Sequence, residues 1–324
     1  MSICIIIPVY NDERYVEECI QSVLEQHNVD FEIIVINDGS TDTSLAIVER
    51  IKKEDTRISV YSYPNGGLSE ARNRGLTHCN KKYVLFLDSD DRLAPNILPS
   101  VLDYAEEHLA DCLFFSSSIF YDTDYSGEFK CWDYERPKSL LGKVMNGPEL
   151  FMQFTNLKKY NVSACMYIFR LDVLGNHRFM KGILHEDNLF TTKLLLKGSS
   201  KRFLSSNIEL YQRRMRDNSI TTVKKTDKHI SGFLAVHHAL LAELSQLADG
   251  PLKVNLKQYA LNTLHNANLA MISKRDIYSN SSLKYRLVIM KEFLKNYNVF
   301  FNTRRTITFI LPELLLLTRL RNKL

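Results

Sequence analysis

The stretch Tyr83-Val84-Leu85-Phe86-Leu87-Asp88-Ser89-Asp90-Asp91 (YVLFLDSDD, residues 83–91) runs five apolar residues straight into four polar ones. A short apolar run of this kind reads as a strand buried on both faces, as parallel sheets require. The same pattern recurs upstream. Ile3 to Ile7 is an apolar run that stops at Pro8, Phe31 to Ile36 stops at Asn37-Asp38-Gly39-Ser40, and Ile58 to Tyr63 stops at Pro64-Asn65-Gly66-Gly67. Helical patterns lie between them. Glu13 to Gln26 carries Val16, Ile20, Val23 and Leu24 at helical spacing, Thr41 to Lys53 has Asp42 or Thr43 as its cap, and Ser69 to Cys79 follows. Strands alternating with helices imply parallel pairing through right-handed crossovers, with ligands bound beyond the carboxyl ends of the strands. The polar ends Asn37-Asp38, Asn65-Gly66-Gly67 and Asp88-Ser89-Asp90-Asp91 therefore converge on one sheet edge.

Further along, residues 111–120 hold another strand, and Tyr121 to Pro137 is a polar, aromatic hairpin or loop. Residues 147–200 carry two helical patterns around a strand at 164–169. A strand at 207–212 leads into Arg213-Arg214-Met215-Arg216, and from about 226 the periodicity is helical to the end. The expected architecture is α/β: a mostly parallel, Rossmann-like sheet with flanking helices over 1–222, then an all-helical region over 223–324.

The 324 residues exceed what one core usually organises, and 45% hydrophobic with 24% charged residues argues against disorder. The net charge of +5 is modest, but acidic clusters fill the first half while Lys and Arg crowd the last quarter. That asymmetry suits a surface approaching phosphates or anionic lipid, and gives no reason to expect a nucleic-acid partner. Six cysteines without a C-x-x-C pair are expected to be reduced and structural, hence in a reducing compartment. With no signal peptide and no apolar stretch of spanning length, the expected location is cytoplasmic.

Carboxylates spaced i, i+2 at a strand end can reach one hard cation together. Mg²⁺ or Mn²⁺ held this way keeps positions open for substrate phosphates. The competing reading of Asp88-Ser89-Asp90-Asp91 is a helix-capping turn ahead of Leu93-Ala94-Pro95.

In order and spacing, PVYNDERYV (8–16), VINDGSTD (35–42), NGGLSEARNRG (65–75) and LFLDSDD (85–91) resemble family 2 glycosyltransferases of the GT-A fold. The resemblance is dense over about a hundred residues and weaker to about residue 221. It implies an inverting transfer of a hexose or N-acetylhexosamine from a UDP-sugar to a glycan acceptor, lipid-linked or protein-linked, as in bacterial polysaccharide or glycoprotein assembly. By the same resemblance Pro8, Val9 and Tyr10 border the nucleoside pocket, with Asp12 or Glu13 near base or ribose. Asp38 accepts from the uracil imide, unless it only makes an Asx turn with Gly39 and Ser40. Asn65, Gly66 and Gly67 let backbone approach the nucleotide, and Arg72 lies near ribose or diphosphate, unless it is a plain surface residue. Asp88 contacts ribose or metal-bound water beside Ser89, and Asp90 binds the metal.

His185-Glu186-Asp187-Asn188-Leu189-Phe190 resembles the family's E-D-x-x-F segment, which implies Asp187 as the base, with Glu186 as the alternative. Both also suit the start of a helix. Tyr211 to Ile220 is similar to the family's Y-x-x-R-x-R-x-x-S-I stretch. That implies Arg214 and Arg216 neutralising the diphosphate or ordering the loop over it; a solvated basic strand end is the rival reading.

Trp132 either stacks on an acceptor sugar or sits in the core. His237, His238 and His265 read as structural. The tail, Arg304-Arg305 through Phe309-Ile310-Leu311 to Lys323, suits three roles: peripheral contact with the inner membrane face, a homo-oligomer contact, or packing on the enzyme. Two other functions remain: a non-catalytic nucleotide-sugar-binding homologue, which should have lost a metal carboxylate or the base, and a nucleotidyltransferase, which should show a Gly- and Arg-rich first loop. A dinucleotide oxidoreductase ranks lower, because no G-x-G-x-x-G follows the first strand.

Overall fold

The computed structural model describes residues 1–127, 133–217, 219, 223–274 and 279–295. Trp132, Asn218, Ile220 and the tail from 296 onward lie outside the described residues.

Contacts divide the chain into two compact units, Met1–Gly182 with Phe190–Thr222 and Ile183–Leu189 with Val223–Leu324. In the first unit β1 (Ser2–Val9), α1 (Val16–Leu24), β2 (Asp30–Asn37), α2 (Ser44–Lys52), β3 (Ile58–Ser62), α3 (Leu68–His78) and β4 (Tyr83–Phe86) alternate as expected. β5 (Arg92–Leu93), α4 (Leu98–Glu107), β6 (Cys112–Tyr121), α5 (Gly147–Asn156), β7 (Tyr167–Arg170) and α6 (Leu171–Leu174) follow. α7 (Glu186–Leu196), which joins this unit from Phe190 onward, and β8 (Phe203–Met215) come next.

One eight-stranded sheet results, in the order β3-β2-β1-β4-β7-β6-β8-β5. β1, β2, β3 and β4 pair in parallel, and so do β6 and β8. β7 runs antiparallel to β4 and to β6, and β5 antiparallel to β8. The sheet is therefore more mixed than the sequence implied. The extra antiparallel pairs come from β7, which overlaps the strand expected over 164–169 but whose direction no local pattern sets, and from β5, two residues long and too brief to carry a periodicity of its own.

The parallel half is buried on both faces, and every residue from Ile3 to Val9 is buried. That is why its strands read as unbroken apolar runs. α3 packs against β1 at a glycine: a Cβ on Gly75 would fall 2.3 Å from Ile6 Cγ2. Phe179 lies flat on Phe190 at 3.8 Å and edge-on to Phe86 at 5.3 Å, so the base of β4 rests on an aromatic cluster.

Three expectations need correcting. α1 starts at Val16 rather than Glu13, because the Asp12 carbonyl accepts from the amides of Tyr15 and Val16 and closes a turn. Glu13 is used instead at the start of α2, where its carboxylate accepts from the Thr43 amide at 3.0 Å and hydroxyl at 2.6 Å. Asp91 does not cap a helix: Arg92 and Leu93 form β5, and the next helix begins at Leu98.

The second unit holds α8 (Asp227–Leu244), α9 (Pro251–Ser273) and α10 (Asn280–Lys295). Ile230, Leu261, Leu264, Met271, Ile289 and Phe293 form its core. His237 is buried there, with Nδ1 2.7 Å from the Ala260 carbonyl, and burial lowers its pKa. Ile183–Leu189 groups with this unit, which a boundary drawn at residue 222 did not anticipate. Cys4, Cys19, Cys79, Cys112 and Cys165 are free thiols. Among the described residues no helix is long and apolar enough to cross a membrane.

Candidate active site

The carboxyl ends of β1, β2 and β4 carry the polar residues singled out from the sequence, and β8 adds its arginines across the same edge. At β2, Asn37 rather than Asp38 holds the turn, its Oδ1 accepting from the Ser40 amide three residues on at 3.1 Å. Asp38 is buried. One oxygen accepts from the Gly66 amide at 2.9 Å and from Arg74 at 3.0 Å; the other accepts from the Gly67 amide at 2.7 Å. The Asp38 carboxylate therefore fixes the Asn65-Gly66-Gly67 loop. Gly39, at φ +76°, completes the fit, since a Cβ there would meet the Asn65 amide nitrogen at 2.8 Å. Pro8 and Val9 are buried at the end of β1, while Tyr10 is exposed.

Arg72 is no surface residue. Its guanidinium is 1% exposed and donates to Asp88 Oδ1 at 2.8 Å, over the rings of Phe86 and Phe179. Arg216 does the same for Asp90, donating from Nε to Oδ2 at 2.7 Å and from Nη2 to Asp12 Oδ1 at 3.2 Å. The Ser89 hydroxyl donates to Asp12 Oδ2 at 2.5 Å, which ties the loop after β4 to the end of β1.

Asp91 is the buried hub of that loop. It accepts from the Arg214 amide at 2.6 Å and from the Tyr211 hydroxyl, so β8 and the Asp88–Asp91 turn are held in register. The Arg214 side chain is 7% exposed, which excludes a solvated strand end. It donates to the Asp90 carbonyl at 2.8 Å and pairs with Glu18, so its charge serves the fold.

Tyr15, Glu18 and Asp122 were not singled out from the sequence. The Arg214 and Arg216 guanidiniums lie 4.8 and 5.0 Å from the Tyr15 ring centre, and its hydroxyl donates to Asp122 at 2.7 Å. Asp122 follows β6 as Asp38 follows β2, and that strand-end position was the available signal. Asp12, Tyr15, Asp122, Asp124, Arg216 and Asp217 line a cleft of about 280 Å³.

The edge is crowded with negative charge. Burial, then Asp90 and Asp88, push Asp91 well above the ordinary carboxylate range. Burial also raises Asp12, helped by Asp90 and Asp88 and opposed by Ser89 and Arg216. Asp88 and Asp90 each give one oxygen to an arginine and keep the second oxygen for another partner. Two such hard oxygens on an electronegative edge fit Mg²⁺ or Mn²⁺ held partly by substrate phosphates. Among the described residues no cluster of three metal-ligating side chains exists, so the protein alone offers no complete cage.

Glu186 and Asp187 open α7. Glu186 is buried and Asp187 half-buried, so Asp187 is the more accessible of the two.

The model of glycosyl transferase family 2 matches residues 4–174, more than half of the chain. The chain belongs to glycosyl transferase family 2. It is 28% identical over 292 residues to glycosyltransferase GlyA of Streptococcus pneumoniae, which covers 88% of this chain and 41% of that protein. It is 31% identical over 229 residues to the uncharacterized glycosyltransferase EpsJ of Bacillus subtilis, covering 68% and 63%. The family 2 chain thus spans between two fifths and two thirds of the length of these relatives. Among solved structures, S. aureus TarS residues 1–349 in complex with UDP-GlcNAc superposes with TM-score 0.62 at 20% identity, over 90% of this chain and 85% of that one. The mannosyltransferase PcManGT from Pyrobaculum calidifontis, in complex with GDP-Man and Mn²⁺, gives 0.54 at 15% identity, over 95% and 84%. The sheet of this family 2 protein is thus of the GT-A type, with Asp88 and Asp90 at the end of its fourth strand.

Proposed function

We propose that the chain is an inverting glycosyltransferase that moves a hexose or N-acetylhexosamine from a UDP-sugar to a hydroxyl of a lipid-linked or protein-linked glycan. The observation that carries this reading is the pair Asp88 and Asp90, each held by one buried or half-buried arginine at the end of β4. Tyr10, Asp38 and the Asn65–Gly67 loop would receive the nucleoside. Asp90, with Asp88 beside it, would hold a divalent metal, which when bound supplies positive charge to the diphosphate. Arg216, freed from Asp90, would turn to the same phosphates.

Asp187 takes the proton of the acceptor hydroxyl. The acceptor oxygen forms its bond to the anomeric carbon on the face opposite UDP, and the breaking C–O bond leaves its electron pair on the diphosphate. The UDP-GlcNAc bound by TarS and the Mn²⁺ bound by PcManGT are in keeping with such a donor and metal.

A donor screen tests the proposal: UDP release with Mn²⁺ or Mg²⁺, with and without chelator, on wild type and Asp90→Ala. Release should require the metal and fall at least a hundredfold in the variant. Release that survives both chelator and Asp90→Ala removes the metal reading. Asp187→Asn should bind UDP normally and transfer no sugar.

A further inference from the structure

The short segment carrying the candidate base, Leu184 to Asn188, is held by three separate contacts from α8 and α9. The His185 ring lies flat on Phe233, with centroids 3.6 Å apart and planes at 11°. Gly232, one residue earlier on α8, sits under the Leu184 carbonyl so closely that a Cβ would come within 2.4 Å of its oxygen. From α9, the Tyr259 hydroxyl donates to Asn188 Oδ1 at 2.8 Å, and the Asn188 side-chain amide donates to the His185 carbonyl at 3.1 Å.

The backbone at the centre of this clamp is strained. His185 has φ +68°, a left-handed conformation that a residue with a Cβ adopts only when its surroundings enforce it. The residue is half-buried, with its Nε2 atom buried and lacking a hydrogen-bond partner among the described residues. Neither feature is needed to start a helix, since an ordinary capping residue would do. What the left-handed residue does is set the direction in which Glu186 and Asp187 leave the preceding chain.

We infer that the C-terminal helices act as a positioning device for the catalytic base: Phe233, Gly232 and Tyr259 fix the Leu184–Asn188 segment and thereby the carboxylate of Asp187. The inference rests on Asp187 being the base. It assigns the helical region a part in the chemical step, which neither an oligomer contact nor a membrane contact would require. Phe233 and Tyr259 are positioning residues, because they act through the segment.

The test uses the full chain, with UDP-sugar turnover and UDP binding by calorimetry measured side by side. Phe233→Ala and Gly232→Ala should lower kcat at least tenfold, with the donor KM and UDP affinity within twofold of wild type. Phe233→Tyr keeps the ring stack and should restore kcat to within threefold. Tyr259→Phe removes a single hydrogen bond and should give an intermediate loss in kcat alone. The inference is overturned if Phe233→Ala and Gly232→Ala turn over normally while Asp187→Asn is dead. It is equally overturned if Phe233→Tyr is as impaired as Phe233→Ala, or if Tyr259→Phe loses UDP binding and kcat together, since both mark general loss of structure. Normal turnover by Asp187→Asn would instead defeat the base assignment itself, and the two failures are thereby told apart.

Discussion

Arg216 Nε donates to Asp90 Oδ2 at 2.7 Å, so the carboxylate assigned to the metal already faces a fixed positive charge. A cation arriving at Asp90 must share it with that guanidinium or displace it. Arg216→Gln should therefore bind Mn²⁺ more tightly than wild type in the absence of nucleotide. The expected gain is on the order of tenfold, corresponding to about 1.4 kcal/mol of relieved repulsion. Turnover should fall, because the same side chain is assigned to the diphosphate. Titration of Mn²⁺ by electron paramagnetic resonance decides it, and an unchanged or weaker affinity would show that Arg216 and metal do not compete.

Asp88 and Asp90 should differ in what their loss does to stability. Arg72, facing Asp88, is 1% exposed, whereas Arg216, facing Asp90, is 20% exposed and also reaches Asp12. Asp88→Ala takes one charged hydrogen-bond partner from a buried guanidinium and should cost about 1.5–3 kcal/mol. Asp90→Ala leaves a guanidinium that water and Asp12 can satisfy, at about 1 kcal/mol or less. Urea denaturation of both variants gives the order directly, and the reverse order would contradict the burial difference.

Most of the parallel half of the sheet was legible because burial on both faces writes itself as unbroken apolar runs such as Ile3 to Ile7. The convergence of Asp38, Gly66 and Asp90 on one edge followed from topology alone. What stayed hidden depended on long-range pairing. β5 is two residues long and exists only because β8 lies beside it. Asp91 looked like a cap because its true partners, Tyr211 and the Arg214 amide, are more than a hundred residues away. For the same reason the contact of Glu13 Oε2 with Thr43, thirty residues on, has no local signature. Nothing local to Ile183–Leu189 announces that it packs with α8 and α9; the contacts of Gly232 and Phe233 decide that.

Stability should depend on pH through His185. Burial first, then the charges of His229 and Lys225, lower its pKa to about 3 from an ordinary 6.5. Between these values the unfolded chain binds the proton and the folded protein does not, so stability rises with pH. The contribution is complete above about 7 and is lost as pH falls from 6.5 toward 3. His237, also lowered by burial, adds a loss of the same sign. Denaturation midpoints between pH 7 and pH 5 should therefore fall more steeply for wild type than for His185→Phe, which keeps an aromatic ring on Phe233. Parallel slopes would mean that the imidazole is solvated in the folded protein.

Gly75 connects core packing to the site. It lies on α3 three residues after Arg72, where the helix touches β1 so closely that a Cβ would stand 2.3 Å from Ile6 Cγ2. Ile6 is wholly buried, so it has no open side toward which to move. Gly75→Ala must move α3 or the Ile6 side chain by about an ångström to reach ordinary contact, and overpacking of this kind costs about 1–3 kcal/mol. An exposed helical Gly→Ala change would instead stabilise through backbone propensity, by up to about 1 kcal/mol, so the two effects have opposite sign. Steric overlap should win because the contact is far inside van der Waals distance. The displacement also carries the Arg72 guanidinium away from Asp88, now 2.8 Å distant, and so loosens one side of the carboxylate pair. Gly75→Ala should therefore show a lower urea midpoint together with weaker UDP binding, whereas Gly75→Ser, bulkier still, should be worse on both counts. A midpoint equal to or above that of wild type would show that α3 slides freely on β1, and Arg72 could not then be fixed by this contact.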